Sequence, residues 1–284
     1  MAQVTAVIAG TGNLPHEACK RLMSAGSDFF VVSLFPEDNG QQLASILQVN
    51  QLISQALYKP SAILDLLKAR HTSHVVFVGK VDKSNLLKKL SFDWLALKIM
   101  GSLVTRGDKD VMEALLAELA RHGIQTLRQD HILGGLLVKP GVLCGELSPE
   151  LETNINLGLA TVLALSQADI GQTVVIKDAM VLAVEAIEGT DACIRRGLGL
   201  AQRHQPDLPA NLVICKGAHP AQNPRFDLPT LGVGSLQNFQ PGDIQAIAWL
   251  AQTTLIADGE ALIMRAQKLG ITLIAVDALT VKKP

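Results

Sequence analysis

Three segments carry residue types that could do chemistry. In Lys216-Gly-Ala-His219-Pro-Ala-Gln222-Asn-Pro-Arg225-Phe-Asp227-Leu-Pro229-Thr230, cations, amides and a carboxylate gather in a proline-stiffened stretch between two apolar runs. A rigid scaffold places binding groups on such loops, although ordinary ion pairing accounts for the same composition. Asp227 is the best carboxylate here for a hard divalent ion, which needs only one or two carboxylates when phosphate oxygens and water complete its shell. The second segment, Glu188-Gly-Thr190-Asp191, sets two carboxylates and a hydroxyl around a glycine turn, with Arg195 and Arg196 one turn later. Asp191 falls in a first helical turn, which favours an anion. A helix capped by Thr190 or Asp191 is the plainer account, and the arginines beside the turn are the case for phosphate. The third, Gly10-Thr-Gly12-Asn-Leu-Pro15, leaves an apolar run and opens a helix, the context in which backbone N–H groups meet a phosphate. Pro15 stands where a dinucleotide fingerprint wants a third glycine, and Ser33-Leu34-Phe35 ends the second strand without an acidic residue for a ribose, so the turn does not favour NAD. A tight turn with Pro15 at the first helical position explains it equally well.

The elements that must position these segments alternate between strands and helices. Val4 to Ile8, a helix over residues 15–24, Phe29 to Leu34, a helix over residues 61–69 and Val75 to Val78 give the rhythm of a parallel sheet, with turn residues at each strand exit. A helix follows over residues 109–122, then an edge strand over residues 124–127. Residues 133–147, rich in glycine and proline, read as a connection between a domain over 1–132 and another over 148–284. Ser148 and Pro149 open the second domain as N-cap and first helical residue. An antiparallel hairpin around Asp178-Ala179 comes next. Strands are expected at 212–215, 230–233, 254–257 and 271–276, and helices at 243–251 and 259–269. The fold class is therefore α/β with two domains.

Composition narrows the function classes. Lys plus Arg number 25 against 26 Asp plus Glu, so the chain lacks the cationic excess that coats nucleic acid. Residues 39–58 carry no charge but hold five glutamines and two asparagines, too polar to span a bilayer. The opening MAQVTAVIAGTGNLP has no basic region before its apolar run and is expected to be a first strand, not a signal peptide. Four scattered cysteines form no CxxC pair and read as buried thiols of a reducing compartment. His71 and His74 lie three apart in a polar stretch with no acidic neighbour, a weak metal pattern. Neither a GxSxG elbow nor a GxxxxGK[ST] loop is present.

The runs VLAVEAIEGTDACIRR (Val181 to Arg196) and PAQNPRFDLPTLGV (Pro220 to Val233), with the opening IAGTGNLP (Ile8 to Pro15), resemble the LpxI family of UDP-2,3-diacylglucosamine pyrophosphatases. The likeness extends over essentially the whole chain. It implies a Rossmann-like parallel N-terminal domain and a mixed-sheet C-terminal domain joined by a linker. It also implies metal-dependent hydrolysis of UDP-2,3-diacylglucosamine to UMP and 2,3-diacylglucosamine 1-phosphate in lipid A synthesis, with Mg2+ or Mn2+ as cofactor. Carried over by motif, Asp227 matches the family's essential aspartate, and Thr190 and Asp191 match its EGTD turn. Asp227, Asp191 and Arg225 are the expected catalytic residues, with Asp227 and Asp191 on the metal. Gly10, Gly12, Pro15, Thr190, Lys216, Gln222 and Arg195 are the expected substrate contacts. The opening turn departs from the family, which more often shows consecutive glycines where Thr11 and Asn13 flank Gly12.

Such a reaction spreads charge over phosphoryl oxygens while water attacks in line, work for a metal, arginine and lysine rather than a covalent nucleophile. The resemblance further implies a homodimer in the cytoplasm, meeting the cytoplasmic face of the inner membrane through its lipid substrate and product, with no nucleic-acid partner. Two rival readings stay open on residues alone. One is a nucleotide-cofactor oxidoreductase built on the Gly10 turn, and the other is a non-catalytic nucleotide-sugar-binding protein.

Overall fold

The computed structural model describes residues 3–81, 93, 95, 108–204, 208–219, 222–226 and 228–282. Contacts group these residues into two units, one running to Leu133 and including Pro224–Phe226, the other holding the remainder.

In the first unit, strands β1 (Val4–Ala9), β2 (Phe29–Ser33), β3 (Leu52–Ser54), β4 (Thr72–Val78) and β5 (Gln125–Thr126) form a sheet in the order β3-β2-β1-β4-β5. Every pair is parallel. The central strands bury both faces, so Ala6, Ile8, Phe30, Val32 and Val75 meet Leu64, Leu67 and Leu119 from the covering helices in one aliphatic core. Helices α1 (Leu14–Ser24), α2 (Pro36–Ala44), α3 (Pro60–Ala69), α4 (Asp108–Arg121) and α5 (Gln129–Leu133) are described here. At the exit of β2, where turn residues are expected, Pro36-Glu-Asp-Asn-Gly40 forms the first half of α2, with Pro36 in the first turn where its missing N–H costs nothing.

The second unit holds a mixed sheet in the order β6-β13-β11-β9-β7-β8. Its strands are β6 (Gly141–Cys144), β7 (Thr173–Lys177), β8 (Met180–Val184), β9 (Leu212–Lys216), β11 (Ile244–Leu250) and β13 (Thr272–Val276), while β10 (Thr230–Leu231) and β12 (Leu255–Ile256) pair separately. Strands β9, β11 and β13 run parallel, and β7, β8 and β6 join antiparallel. Helix α6 (Pro149–Gln167) covers one face, its Leu151, Ile155, Leu159 and Val162 packing on Val174, Ile176, Val213 and Cys215. Helices α7 (Thr190–His204) and α8 (Gly259–Leu269) cover the other, where Leu212, Ile214, Ile247 and Trp249 meet Cys193, Ile194 and Leu262.

Two expectations change here. The segment at 243–251 is β11, not a helix: IQAIAWL is buried on both sides, which erases the alternation that separates a strand from a helix. Part of the expected connection is β6, an antiparallel edge beside β13, and Leu137 bridges to Leu255, so this stretch packs within the second unit. The Ser148 cap is as expected, its hydroxyl accepting from the Leu151 N–H at 3.2 Å. Asp178 and Ala179, both at positive φ, make the tight hairpin turn between β7 and β8.

Candidate active site

In the second unit, the carboxyl end of β9 lies where parallel pairing gives way to antiparallel. Open α/β sheets bind ligands outside the carboxyl ends of their parallel strands. Lys216 is the last residue of β9, in register with Trp249 on one side and Thr173 on the other. Alternation along β9 sends Cys215 toward α6 and Lys216 toward α7.

Lys216 is 5% exposed. An ammonium taken out of water is tolerated only with hydrogen-bond acceptors and a compensating charge. Two acceptors among the described residues are the Thr173 hydroxyl at 3.1 Å and the Thr190 hydroxyl at 2.8 Å. Thr190 in turn donates to Glu185 Oε1 at 3.0 Å. Glu185 follows β8 directly and is fixed by its own backbone, whose N–H donates to the Thr173 carbonyl at 2.8 Å. Gly171 lets that backbone come close, since a Cβ at 171 would lie 2.1 Å from the Glu185 carbonyl oxygen. Beside the cluster, Gln172 donates to Gln222 at 3.3 Å, and the Gly217 N–H donates to the Gln172 carbonyl at 3.0 Å.

Thr190 opens α7 behind Gly189, whose φ of 80° is the left-handed turn that brings the helix N-terminus to Lys216. The positive end of a helix dipole and a buried ammonium thus sit side by side, an arrangement that attracts anions. Asp191 is exposed in the first turn of α7, and Arg195 is exposed one turn on. Arg196 donates to Glu188 and to the Val184 carbonyl. That guanidinium holds the Glu188 carboxyl below the usual carboxylate range. Arg196 therefore ties α7 to the end of β8, and Glu188, one of the two carboxylates flanking the glycine turn, is its ion-pair partner. Burial pushes the Cys193 thiol, on the inner side of α7, up to about 11.

The expected residues divide as follows. Lys216 and Thr190 meet directly, and Gln222 joins them through Gln172. Arg225 belongs with Pro224–Phe226 in the first unit, where the Gln129 N–H donates to the Pro224 carbonyl at 2.8 Å. Asp227 lies outside the described residues. The sequence reading missed Glu185, Thr173 and Gln172. Glu185 sits inside the VLAVEAIEGTDACIRR run, and an acid directly after a strand, five residues before a threonine at a helix start, was the available signal.

In the first unit, the Gly10 turn is satisfied by protein. Thr11 and Lys80 form a two-bond bridge, and a Cβ at Gly10 would lie 2.3 Å from the Lys80 carbonyl oxygen, which accounts for glycine there. Gly12 has a φ of 87°, and its N–H donates to Asp38 Oδ2 at 2.9 Å. Buried Asn39 links the Ser33 hydroxyl to the Gly10 carbonyl, and Pro15 is buried in the first turn of α1. A carboxylate from α2 thus holds an N–H that a phosphate would otherwise take.

Among the described residues no three His, Cys, Asp or Glu side chains gather into a metal-holding group. Asp191, exposed in the first turn of α7 next to Thr190, is the kind of carboxylate that an ion of the magnesium type uses when phosphate and water supply most of its oxygens. No helix among the described residues is long and apolar enough to cross a membrane.

Comparison with known proteins agrees with this architecture. Residues 4–136 match the LpxI N-terminal domain and residues 139–274 the LpxI C-terminal domain. The chain is also similar to the UDP-2,3-diacylglucosamine pyrophosphatase LpxI of Caulobacter vibrioides, with 30% identity over 279 residues that cover 95% of this chain and 96% of the relative. With both halves matched in order over nearly its whole length, the chain belongs to the LpxI family.

Proposed function

We propose that this protein hydrolyses the pyrophosphate bond of UDP-2,3-diacylglucosamine, giving UMP and 2,3-diacylglucosamine 1-phosphate in lipid A biosynthesis. The observation that carries the reading is the buried Lys216 ammonium at the carboxyl end of β9 beside the N-terminus of α7. The named activity of the Caulobacter relative supports the choice of substrate.

Attack of water on one phosphorus breaks the bridging P–O bond and moves negative charge onto the departing phosphate, with the proton of water passing to solvent or a nearby base. Charge of this kind is stabilised most by donors already held in place where it develops. Lys216 is such a donor, fixed by two threonine hydroxyls. The first-turn N–H groups of α7 add a second positive field, and Arg195 and Gln222 supply further phosphate contacts. In this reading Asp191 and Asp227 hold a Mg2+ or Mn2+ ion, which when bound withdraws charge from phosphoryl oxygens. A homodimer working at the inner-membrane surface, where the acylated substrate resides, completes the proposal.

The deciding assay is release of UMP from UDP-2,3-diacylglucosamine by the purified protein. Binding without release identifies a nucleotide-sugar-binding protein, and tight retention of NAD or NADP identifies an oxidoreductase. Asp227→Asn is expected to abolish release while the protein stays folded, and retained activity removes Asp227 from the site.

A further inference from the structure

Thr190 stands between a buried cation and a carboxylate, and this fixes the direction of every bond it makes. A threonine hydroxyl has one proton and two lone pairs, an ammonium only donates, and an ionised carboxylate only accepts. Thr190 must therefore give its single proton to Glu185 at 3.0 Å and accept from Lys216 at 2.8 Å. Its second lone pair faces the Thr173 hydroxyl at 3.4 Å, and Thr173 itself accepts from Lys216 at 3.1 Å. No hydroxyl proton remains on Thr190 for a substrate oxygen.

A further feature sets Glu185 apart. Its second oxygen, Oε2, is buried and has no hydrogen-bond partner among the described residues. A buried carboxylate oxygen left without a partner is costly, and most buried polar atoms in folded proteins are paired. The carboxylate is held there by backbone geometry, through its N–H on the Thr173 carbonyl and the close approach of Gly171. Thr173 thus contacts Glu185 through its backbone and Lys216 through its side chain.

We propose that Glu185 is a positioning residue for Lys216, acting through the Thr190 hydroxyl so that the ammonium points in one direction before a phosphate arrives. This rests on the reading that Lys216 holds a substrate phosphate, and it recasts Thr190 from a substrate contact to a link between two charges.

The test is a cycle of four proteins: wild type, Glu185→Ala, Lys216→Gln and the double variant, each assayed for kcat/KM of UMP release. Lys216→Gln keeps N–H donors for the two threonines while losing the charge. Loss of one preorganised donor costs on the order of 100-fold. Glu185→Ala is expected to cost about 10-fold in the wild type and less than about twofold in the Lys216→Gln background, because residues that act through one another are not additive. The same fold loss in both backgrounds overturns the proposal, since Glu185 would then act on something other than Lys216. Thr190→Val is expected to fall with Glu185→Ala, and Thr190→Ser, which keeps the hydroxyl, to recover most of that loss; failure of Thr190→Ser to recover it counts against the link. Should Glu185→Ala not fold, Glu185→Met takes its place, filling the space without an acceptor for Thr190. If the wild type releases no UMP, the hydrolase reading falls, and the same cycle is read from dissociation constants for UDP. Non-additive binding then upholds the link, and additive binding overturns it.

Discussion

Gly158 lies inside α6, where the helix presses on β9 from the face opposite Lys216. Helix propensity alone says that Gly158→Ala should stabilise the protein by about 1 kcal/mol. Packing says the reverse. A methyl at 158 would lie 2.3 Å from Cys215 Sγ, 2.9 Å from Cys215 Cβ and 3.0 Å from Ile176 Cγ1. Ordinary contacts between such atoms are near ~3.7 Å, so something must move by more than ~1 Å. Neither neighbour yields easily: Cys215 and Ile176 are both fully buried, and the Cys215 thiol is directed at the Ile155 carbonyl. Overpacking of this kind costs about 1–3 kcal/mol, and the upper end applies here. Set against the propensity gain, a net loss of about 2 kcal/mol is expected. Urea unfolding measures it, and hydrogen exchange of the β9 amides localises it. Cys215→Ala removes the obstructing sulfur, so the double variant should be more stable than the two single losses added together. Because Lys216 follows Cys215 in the same strand, Gly158→Ala should also slow turnover by roughly 10-fold or more, since misplacing a reacting group by about 1 Å can cost about 100-fold. A Gly158→Ala protein at least as stable as wild type, with Cys215→Ala adding only its own cost, refutes the packing argument.

Other outcomes follow from individual groups. Burial pushes the thiols of Cys193 and Cys19 up to about 11 and about 12, and raises those of Cys144 and Cys215 as well. Native protein at pH 8 should therefore react slowly with iodoacetamide, with four thiols labelling after unfolding; fast native labelling of any of them contradicts their buried state. Arg196 lowers the folded pKa of Glu188 below its unfolded value, so its contribution to stability is present above the ordinary carboxylate range and lost as pH falls through the folded pKa. Urea unfolding should show a wild-type advantage over Glu188→Gln at pH 7 that shrinks below about pH 4 and weakens with salt; a difference independent of pH rules this out. EDTA should stop UMP release, and Mg2+ or Mn2+ should restore it. Undiminished turnover in EDTA removes the metal from the proposed reaction.

What the sequence determined by itself was local. Apolar runs separated by turn residues gave the parallel first unit, Ser148 and Pro149 placed the start of α6, and Asp178-Ala179 marked a hairpin, because caps and turns depend on neighbours a few residues apart. The motif segments likewise marked Lys216, Thr190 and Gln222, which do lie together in the second unit. Tertiary structure decided the rest. The strand β11 was unreadable because burial on both faces removes the alternation that distinguishes it from a helix. Asp38 and Asn39, near the Gly10 turn only through sheet topology, took hydrogen bonds that the turn alone left open. Glu185 had a motif around it but no assigned role, since its meaning depends on a lysine that β9 delivers to it across the sheet. Lys216 meets Thr190 across 26 positions of sequence and Thr173 across 43. Residue types and periodicity act over one or two turns of chain, whereas the register of β7 against β9 and the seating of α7 on that sheet bring these charges together.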